Sequence, residues 1–592
     1  MTGGSILVVP CCEKGKGGGH ITRSIKLIKE LRAAGKEAYL FIPANVKIDS
    51  FLQSFQFDKM LVFTEKGIAK KNWELIVLDR NQTPQDELIR WKKLAPVIGI
   101  DEGGPNRDYI DFLIDILIPE NFEQPPANIT SCALIDLPQK TRNPQDARNN
   151  KKLKILISFG QEDAAGLAVR AVKKLSKKDF DGMEITLLKG SLFNSKYRIP
   201  DNVKIMNSIP NLADRLCEYD FVITHYGITA YEALFAGTNV LLDHPTPYHK
   251  KIAKAAGFED LNNLKSFKKI TVNPRLRYAR SQTKHTTLTK LLNSLTMQVK
   301  RRCPVCGKEA NNRSIVRFPD RSFRCCSKCG AIYMERSSPQ PVEYKREYFF
   351  EEYKKQYGKT YLEDFPNLVA MAKRRLKVIS QITSRKNAKH PAGEDWEKTK
   401  TLLDIGCAYG PFLAAAKEEG LMPAGIEPAQ DAVRYVQKTL GIPVIQGFFP
   451  NCPLPSPHSL PYDIVSLWYV IEHFTDCFAI LTEIKKILIK GGILAFSTPS
   501  FTGISGRKHL RKFLENSPAD HYTIWSPKMC VKALAHSGFQ VKKTVITGYH
   551  PERFPLFGKL AKSKKSPLYW LFLLISKIFG LGDTFEVYAE LL

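Results

Sequence analysis

The segment that most constrains the fold of this chain is 401–410, TLLDIGCAYG. Its apolar start predicts a buried strand that ends at Asp404, and Gly406 and Gly410 predict a tight turn before a helix that begins at a proline. Glycine lets the backbone pass close to a ligand where any Cβ would collide with it. Glu427 ends the next strand pattern, and a carboxylate at that place suits the hydroxyl pair of a ribose.

The order of the following elements is more specific than the glycines, since many α/β domains contain such a turn. Residues 462–468, YDIVSLW, predict a buried strand. A helix is predicted over 479–489, with Gly491 and Gly492 as its stop, and 493–497 predicts the next strand. Alternating strands and helices indicate a parallel α/β sheet.

With this order of elements, residues 396–592 resemble the class I S-adenosylmethionine-dependent methyltransferases. The matching pieces are LDIGCAYG, GIEP, DIVSLWYVIEHF, LIKGGILAFSTPS, HYTIWSP and LAHSGF. The resemblance implies that Asp404, Gly406 and Gly410 lie under the methionine and ribose part of S-adenosylmethionine. It also implies that Glu427 binds the ribose hydroxyls and that the segment ending at Phe448 flanks the adenine.

Two histidines are candidates for the base that prepares the methyl acceptor, because an imidazole with a pKa of about 6.5 accepts a proton near neutral pH. His473 follows the strand YDIVSLW, and His521 lies in ADHYTIW. Both positions recur in the resembled family, and the alternative of two structural histidines stays open. No Asn/Asp-Pro-Pro-Tyr motif follows the fourth strand, which argues against an adenine-N6 or glutamine-amide methylase.

The chain begins with a similar pattern of strand, glycines and helix. Residues 5–12, SILVVPCC, predict a buried strand, and glycines up to Gly19 lead into His20 and an amphipathic helix. The pattern is either a flexible connection or a helix N-terminus whose amides attract phosphate or carboxylate. Further strands are predicted over 37–42, 59–63, 75–79, 97–101 and 115–119. These alternations predict a parallel α/β domain.

A second α/β unit is predicted after a polar stretch that contains asparagine and proline. Residues 153–159 predict its first strand, and 221–224, FVIT, predict a later one. Gly227 and Thr229 follow, where a helix is expected to start. The N-terminus of that helix is another possible anion-binding site. Glu232, expected on the first turn of that helix, either caps it or contacts a ligand.

Together, roughly residues 1–270 resemble the two-domain GT-B sugar-nucleotide enzymes, and most closely the UDP-sugar hydrolase of pseudaminic acid biosynthesis. The similarity rests on GGGHITRS, LIVLDR, VIGIDE, ILISFGQED and HYGITAYEALFAGTNVLL. It implies that His20 is the catalytic acid/base. It also implies that four residues contact the nucleotide-sugar: Gly19, Gly227, Thr229 and Glu232. The turn at 227–229 is expected to hold the diphosphate, and Glu232 is expected to bind the ribose.

The chain departs from that family at two places. Relatives often carry a second glycine where this chain has Gln161, and they carry Gln and Asn within the segment that reads HKKIA at 249–253. Those positions usually touch the sugar. The front half is therefore either a catalytic sugar-nucleotide domain or one that only binds its ligand.

Two C-x-x-C-G sequences predict a tetrahedral zinc site. They contribute Cys303, Cys306, Cys326 and Cys329. Two-residue spacing brings two thiolates of one turn to one metal, and four thiolates leave no open position, so a structural zinc ribbon is expected. The neighbouring Cys325 is not expected to be a ligand. Some sugar methyltransferases carry such a ribbon ahead of the cofactor domain, and this chain resembles them in that order.

Length and resemblance together predict several α/β domains around the ribbon. A chain of 592 residues holds three or four domains that each bury a core. The predicted parts are a GT-B-like domain over 1–145, a GT-B-like nucleotide-binding domain over 151–300, the ribbon over 301–340, a helical linker or cap over 341–395, and the methyltransferase domain over 396–592. The cap segment 344–361 is aromatic, and it is expected either to cover the cofactor mouth or to be a plain linker.

Charge and cysteine content bear on partners and location. The formal charge of +29 favours anionic partners, namely nucleic acid, nucleotide-sugars or an anionic membrane surface. The basic stretch 272–302 has one aromatic residue, so nucleic acid is not expected there. The scattered cysteines and the absence of a recognisable secretory signal predict a cytoplasmic protein.

Near the end of the chain, basic residues precede the apolar run 568–575. The run is too short to span a bilayer, so no transmembrane helix is expected. Two alternatives stay open: peripheral contact with an anionic membrane at the inner face, or a buried lid helix.

The sequence as a whole predicts a bifunctional glycan-modifying enzyme. The methyltransferase domain that contains the 401–410 motif is expected to methylate a sugar, and the front half of the chain is expected to handle UDP-sugars. An RNA methyltransferase and a methyltransferase whose front half only binds a glycan are the alternatives.

Overall fold

A computed structural model describes most of the chain. The residues outside the description are 1–3, 13–18, 47–51, 54, 120–121, 124, 135–137, 143–151, 161–162, 164, 177–182, 191–197, 208, 210, 264–286, 310, 339–350, 352, 355–357, 388–399, 456–460 and 556. The chain divides into two compact units. Unit 1 comprises Met1–Val299, Arg317–Ser322 and Arg336–Ser338, and unit 2 comprises Lys300–Val316, Phe323–Glu335 and Pro339–Leu592.

The first seven strands of unit 1 form one parallel sheet. They are β1 (Ser5–Pro10), β2 (Ala38–Phe41), β3 (Val62–Phe63), β4 (Trp73–Asp79), β5 (Val97–Ile100), β6 (Phe112–Asp115) and β7 (Ile129–Thr130). The sheet order is β3-β2-β1-β4-β5-β6-β7, with every neighbouring pair parallel. The order reverses between β1 and β4, so their carboxyl ends border the crevice where such sheets bind ligands.

A second parallel sheet follows in unit 1. Its strands are β8 (Leu153–Ser158), β9 (Met183–Leu188), β10 (Val203–Met206), β11 (Phe221–Thr224), β12 (Asn239–Leu242) and β13 (Glu259–Asp260). The order is β10-β9-β8-β11-β12-β13, again with parallel neighbours. The reversal lies between β8 and β11, which puts the end of β11 at the binding edge.

Helices cover these two sheets. They are α1 (Gly19–Ala33), α2 (Gln85–Leu94), α3 (Leu167–Ser176), α4 (Leu212–Arg215), α5 (Ile228–Phe235), α6 (Pro247–Ala256) and α7 (Leu288–Ser294). In α1 the apolar positions recur every three or four residues, and Ile21, Ile25, Ile28 and Leu31 are buried against the first sheet.

The larger sheet of unit 2 has seven strands. They are β17 (Thr401–Ile405), β18 (Met422–Glu427), β19 (Val444–Gln446), β20 (Tyr462–Trp468), β21 (Leu488–Pro499), β23 (Phe539–Thr547) and β24 (Thr584–Leu591). The order is β19-β18-β17-β20-β21-β24-β23, and only β24 runs antiparallel to its neighbours. The reversal between β17 and β20 places the glycine turn at the binding edge.

The remaining elements complete the description. The other strands, β14 (Arg313–Arg317), β15 (Arg321–Cys325), β16 (Ile332–Arg336) and β22 (Thr523–Ile524), form a four-stranded sheet. The helices of unit 2 are α8 (Phe365–Asn387), α9 (Pro411–Glu418), α10 (Gln430–Tyr435), α11 (Cys477–Ile487), α12 (Ile504–Lys508), α13 (Leu510–Glu515), α14 (Pro527–His536) and α15 (Pro567–Ile578). A π-helix covers Val436–Leu440, and 3₁₀ turns cover Lys59–Leu61, Ile68–Lys70, Arg107–Tyr109, Cys132–Leu134, Leu216–Glu218, Leu261–Asn263, Ile471–His473, Pro551–Arg553 and Gly558–Ala561.

The predicted α/β class is confirmed, and the strands predicted over 221–224 and 462–468 have those bounds. Three local predictions are wrong. The strand expected over 59–63 is shortened to Val62–Phe63, because Lys59–Leu61 form a 3₁₀ turn in which the side chain of Asp58 accepts from the amide of Met60. The strand expected at 115–119 is β6, which ends at Asp115, because the apolar run continues as buried chain beyond the sheet. The helix expected to stop at Gly491 ends at Ile487 instead, because Leu488 already pairs with β20 and β21 runs on through both glycines.

The five predicted domain ranges stay predictions. The boundary expected near 145–151 and the first half of the basic stretch 272–302, up to residue 286, lie outside the described residues. Most of the aromatic segment 344–361 lies outside them as well. No helix in the described part of the chain combines the length and the apolar character that crossing a membrane requires.

Candidate functional site

The turn after β17 has the backbone that its glycines predict. Gly406 and Gly410 have φ of 72° and 76°, and Ala408 between them has φ of 48°. A Cβ added to Gly406 would stand 2.5 Å from Cγ2 of Val470. Any other residue at 406 would therefore combine backbone strain with a steric clash.

Glu427 ends β18 beside this turn and is held by two backbone amides. Ala408 donates to its Oε2 at 2.9 Å, and Ala429 donates to its Oε1 at 3.0 Å. The side chain is buried. Burial raises the pKa of Glu427 to about 7, against the opposite effect of the amides of Ala429 and Ala408. A carboxylate offers roughly four acceptor positions, so about two remain for hydroxyl donors.

Asp404, the last polar residue of β17, is buried next to the same turn. Its Oδ1 accepts a hydrogen bond of 2.7 Å from the Ser466 hydroxyl on β20. Burial raises the pKa of Asp404 to about 7, although the Ser466 hydroxyl and the Arg375 guanidinium favour the ionised form. Arg375 itself is paired with Glu586 at 2.7 Å and lies 3.9 Å from the centroid of the Trp468 ring.

An aromatic cluster lies beside the glycine turn. The ring centroid of Tyr409 is 5.4 Å from that of Tyr435 and 6.0 Å from that of Tyr361. Tyr361 is the last residue of the aromatic cap segment, and burial raises the pKa of its phenol, with the charges of Asp404 and Glu427 adding to the effect. This part of the predicted cap therefore lies near the two carboxylates.

The residue predicted to flank the adenine is exposed at the end of β19. The side chain of Phe448 is 61% exposed, and the side-chain amide of Gln446 donates to the carbonyl of Pro428 at 3.3 Å. A large apolar ring that is open to solvent beside Glu427's strand is a suitable face for a base. Its role as an adenine contact stays a prediction.

The two predicted catalytic histidines of this sheet lie together. His473 closes the 3₁₀ turn after β20, and its ring is edge-to-face with that of His521 at 4.8 Å. Nδ1 of His473 lies 2.8 Å from Oδ2 of Asp520. Although burial opposes it, the hydrogen bond to Asp520 raises the pKa of His473, whereas burial lowers the pKa of His521 to about 3.

Glu472 joins this histidine pair. One potential ligand atom each from Glu472, His473 and His521 lies within 4.8 Å of the other two, a grouping that could hold a metal ion. Burial raises the pKa of the Glu472 carboxyl to about 7. Val470, which contacts Gly406, is two residues away, so the grouping adjoins the glycine turn.

The four cysteines of the predicted ribbon converge. The Sγ atoms of Cys303 and Cys329 are 3.8 Å apart, and those of Cys306 and Cys326 are 3.9 Å apart. A tetrahedron of sulfur atoms about 2.3 Å from zinc has edges of about 3.8 Å, so the four thiols fit that ion. Cys325 is not among the grouped sulfur atoms.

The knuckle backbone also has the predicted form. Gly307 and Gly330 have φ of 67° and 82°. Their amides donate to the carbonyls of Cys303 and Cys326, each at 2.9 Å. The tight turn that brings each pair of thiols together therefore depends on glycine at these two positions.

In unit 1, His20 lies on the first turn of α1 at the carboxyl end of β4. Its Nδ1 is 2.7 Å from Oδ1 of Asp79. Arg23 donates from Nε to Asp79 at 2.9 Å and from a terminal nitrogen to Asp101 at 2.8 Å. Burial alone would raise the pKa of Asp79, but Arg23 and His20 hold it well below its usual range. A Cβ on Gly19 would meet no atom of the described residues within 4 Å.

The turn after β11 holds the remaining predicted residues. Gly227 precedes α5, Thr229 is its second residue, and Glu232 lies on its second turn. The expectation that Glu232 lies on the first turn, and with it the capping alternative, is wrong because the helix begins at Ile228 and has no acidic residue in its first turn. Gly227 is extended, so its backbone does not demand glycine.

Sequence reasoning missed three residues that shape these sites. Ser466 and Asp520 orient Asp404 and His473 across long stretches of chain, and no local pattern signals such pairs. His225 stacks on Phe159 at 6.3 Å, and burial lowers its pKa to about 4. Its position directly after β11 and before Gly227 was the available signal.

Part of unit 2 matches a known family model. Residues 371–544 match the family model described as a methyltransferase domain. This part of the chain is an S-adenosylmethionine-dependent methyltransferase domain. The ubiquinone biosynthesis O-methyltransferase of Vibrio cholerae is 26% identical over 166 residues, which cover 26% of this chain and 66% of that protein.

Two further similarities concern a curated protein and a solved structure. An uncharacterized protein of Methanocaldococcus jannaschii is 30% identical over 125 residues, covering 18% of this chain and 26% of that protein. The crystal structure of magnesium protoporphyrin IX methyltransferase from Synechocystis PCC 6803 with bound SAH is 14% identical, covers 42% of this chain and 98% of that one, and has a TM-score of 0.27. The chain thus spans less than two thirds of both curated relatives.

Proposed function

We propose that the protein is a bifunctional carbohydrate-modifying enzyme. Its methyltransferase domain methylates a sugar, and unit 1 binds a nucleotide-sugar and hydrolyses it or transfers its sugar. The observation that carries the first half is the carboxylate of Glu427, which two backbone amides hold at the binding edge beside the glycine turn. Methyl transfer is the activity of the domain, and the sugar acceptor and the action of unit 1 are what we add.

S-adenosylmethionine supplies the sulfonium methyl group when it is bound. In our proposal Glu427 uses its remaining lone pairs to accept from the ribose hydroxyls. Gly406 and Gly410 leave room for the donor because they lack a Cβ, and Asp404 lies under it. Phe448 offers an apolar face to the adenine. Catalysis then depends on holding the methyl group in line with the acceptor.

The acceptor is expected at Glu472, His473 and His521. This grouping follows β20, the strand next to β17, and adjoins the glycine turn through Val470. Asp520 holds the ring of His473 in one orientation. The grouping therefore offers proton acceptors at a fixed place beside the methyl donor.

For unit 1, the proposal rests on His20 at a crevice edge. Asp79 orients His20, while Arg23 keeps Asp79 ionised through a buried ion pair. An imidazole that is held this way can act as the acid/base of nucleotide-sugar chemistry. The turn that contains Gly227 and Thr229 stands at the reversal point of the second sheet, where a diphosphate is expected.

We also propose that the four cysteines bind a structural zinc ion. All four positions of a tetrahedron are then filled by thiolates, which leaves no site for a substrate. Zinc here stabilises the fold and takes no part in methyl transfer.

The sugar acceptor is inferred from the combination of units in one chain. A unit that handles nucleotide-sugars beside one that transfers methyl groups suggests consecutive steps on one glycan.

Mass spectrometry of small molecules tests the whole proposal. The protein is incubated with S-adenosylmethionine and a panel of UDP- and CMP-sugars. We expect a mass gain of one methyl group on a sugar and, separately, release of a sugar or nucleotide. Production of S-adenosylhomocysteine only when RNA is added would favour the RNA methyltransferase instead, and RNA affinity that falls steeply with salt would support it.

Unit 1 has its own test. A His20→Ala variant should lose turnover of the UDP-sugar while it still binds S-adenosylmethionine. If the variant turns over UDP-sugar like the unmodified protein, unit 1 only binds a glycan.

A further inference from the structure

We propose that Glu472, His473 and His521 bind one divalent cation beside the methyl donor. This inference rests on the proposed methyl transfer, but in it these three side chains are metal ligands, and the cation activates the acceptor in place of a side-chain base. The three side chains come from two segments, the 3₁₀ turn Ile471–His473 and the loop before β22. One ligand atom from each lies within 4.8 Å of the other two.

Glu472 is the strongest reason for a cation. Its side chain is 1% exposed, and neither carboxylate oxygen has a hydrogen-bond partner of good geometry among the described residues. A buried carboxylate without a partner is unfavourable, because it has lost its hydration and gained nothing in return. A bound cation removes that penalty.

His473 has the second feature of a metal ligand. Metal-binding histidines generally direct one ring nitrogen at a carboxylate, which fixes the tautomer and leaves the other nitrogen as the donor to the metal. Nδ1 of His473 lies 2.8 Å from Asp520, so Nε2 is the nitrogen that carries the lone pair. The ring of His521 stands edge-to-face with that of His473, which brings a second imidazole to the same place.

The ligand set indicates the class of ion and acceptor. Two imidazoles and one carboxylate suit Zn²⁺, Mn²⁺, Fe²⁺ or Co²⁺, and three protein ligands leave positions open. An acceptor hydroxyl at an open position becomes more acidic, as water does on zinc, where its pKa falls to about 7. Its proton passes to solvent, its oxygen bonds to the sulfonium methyl carbon, and the carbon–sulfur bond breaks to leave a thioether. The acceptor class is therefore a hydroxyl, and the product is a methyl ether.

Manganese binding to the full chain tests the cation site. Mn²⁺ prefers oxygen and imidazole ligands to four thiolates, so it does not report on the cysteine cluster. Free Mn²⁺ is followed by electron paramagnetic resonance during titration of the protein. We expect one site per chain, and at least a tenfold weaker affinity in both Glu472→Gln and His521→Ala. Glu483→Gln changes a half-exposed, ion-paired glutamate of α11; it is the control and should bind as the unmodified protein does.

The same samples separate this inference from the proposed function. S-adenosylmethionine binding is measured by calorimetry, and circular dichroism checks that each variant is folded. If the unmodified protein binds S-adenosylmethionine but no Mn²⁺, or if Glu472→Gln and His521→Ala retain the Mn²⁺ site, the cation proposal is wrong and methyl transfer stands. If S-adenosylmethionine does not bind at all, the proposed function fails whatever the manganese result.

A separate observation supports a second inference, that α15 and the segment before it bind an anionic membrane surface. The helix Pro567–Ile578 is apolar over most of its length, and Ser576 is its one buried residue. The exposed apolar side chains are 50% to 68% open, and they are Phe557, Leu560, Trp570, Leu571, Leu574, Ile578 and Phe579. The alternative of a buried lid helix is wrong, because these side chains face solvent in the structure.

The positive charge next to these apolar side chains indicates that the partner of this surface is an anionic membrane. Lys559, Lys562, Lys564 and Lys565 are exposed just ahead of the helix. Twelve helical residues rise about 18 Å, too short to cross a bilayer, so the helix lies in the interface. Trp, Leu and Phe side chains enter the acyl boundary while lysines contact anionic headgroups.

Vesicle sedimentation tests this surface. The full chain should sediment with vesicles of phosphatidylcholine containing 30% phosphatidylglycerol and much less with pure phosphatidylcholine, and added salt should weaken binding. Leu571→Asp/Leu574→Asp should lose most of the binding, while Val531→Asp, an exposed apolar residue of α14, should keep it. Equal binding by both variants would overturn the inference, as would self-association in ultracentrifugation without vesicle binding.

Discussion

The backbone amide of Ala408 donates a hydrogen bond of 2.9 Å to the carboxylate of Glu427. Ala408 has a positive φ of 48°, between two glycines that share that region, so the turn presents its amide to the end of the neighbouring strand. The bond couples the shape of the turn to the place of the carboxylate. A change in either should therefore affect binding of the methyl donor.

Glu427→Gln should weaken S-adenosylhomocysteine binding about tenfold to a hundredfold. The amide nitrogen of glutamine cannot accept from a backbone amide or hydroxyl, and hydrogen bonds to a charged group contribute about 1.5–3 kcal/mol each, where about 1.4 kcal/mol is a factor of ten. Calorimetry measures the affinity. Glu419→Gln, an exposed residue after α9, is the control and should bind normally. An unchanged affinity in Glu427→Gln would remove Glu427 from the site.

Binding of S-adenosylhomocysteine near pH 7 should release protons. In the free protein the pKa of Glu427 and that of Asp404 are raised to about 7, so both groups are partly protonated there. Ribose hydroxyls that donate to Glu427 favour its ionised form and lower its pKa. Calorimetry in buffers with different ionisation enthalpies counts the released protons. The release should become smaller in Glu427→Gln, and an equal release in both proteins would contradict this origin.

The same shifts predict how stability varies with pH. A carboxyl with a raised pKa in the folded state binds more protons there than in the unfolded state. The stability that protonated Glu427 contributes is fully present below the pKa of the unfolded state, near 4.5, and is lost as the pH rises through the folded-state pKa of about 7. The midpoint temperature of the thermal transition that responds to S-adenosylhomocysteine should therefore decrease as the pH is raised from 5 to 8. The decrease should be smaller in Glu427→Gln. Parallel decreases in the two proteins would show that Glu427 is not responsible.

Local patterns predicted the strands and glycine turns well, because strand length, apolar runs and positive φ are properties of neighbouring residues. The bounds of β20 and β11 and the turn at Gly406 came out as expected. The start of β21 did not, since pairing of Leu488 with β20 overrides the two glycines that follow. The tertiary partner decided the outcome there.

The sites were predictable only in part for a similar reason. A motif names Glu427 or His473, but the partners that orient them lie far along the chain. Ser466 reaches Asp404 from another strand, and Asp520 reaches His473 from a loop. Among the described residues, the carboxylate oxygens of buried Glu472 have no hydrogen-bond partner of good geometry, and this too is a property of packing that no sequence pattern reports.

The buried ion pair of unit 1 should dominate its stability. Asp79→Asn leaves the Arg23 guanidinium with a weakened partner in a buried place, where the two side chains are 1% and 11% exposed. Breaking a buried pair from one side costs about 3–5 kcal/mol. The denaturant midpoint of unit 1, followed by its own transition, should fall accordingly. Glu218→Gln breaks the exposed pair with Arg215 and should leave that midpoint unchanged. Equal effects of the two substitutions would mean that Asp79 is not structurally important.

Neighbouring cysteines offer the sharpest control for the zinc site. Cys326→Ser removes one of four converging thiols, whereas Cys325→Ser removes a thiol outside the cluster. We expect one zinc per chain by plasma mass spectrometry in the unmodified protein and in Cys325→Ser, and loss of most of that zinc in Cys326→Ser. Because metal binding and local folding are linked, Cys326→Ser should also make the segment between the two knuckles sensitive to protease. Full zinc content in Cys326→Ser would rule out a four-thiolate site, and loss of zinc in Cys325→Ser would place the ligand one residue earlier.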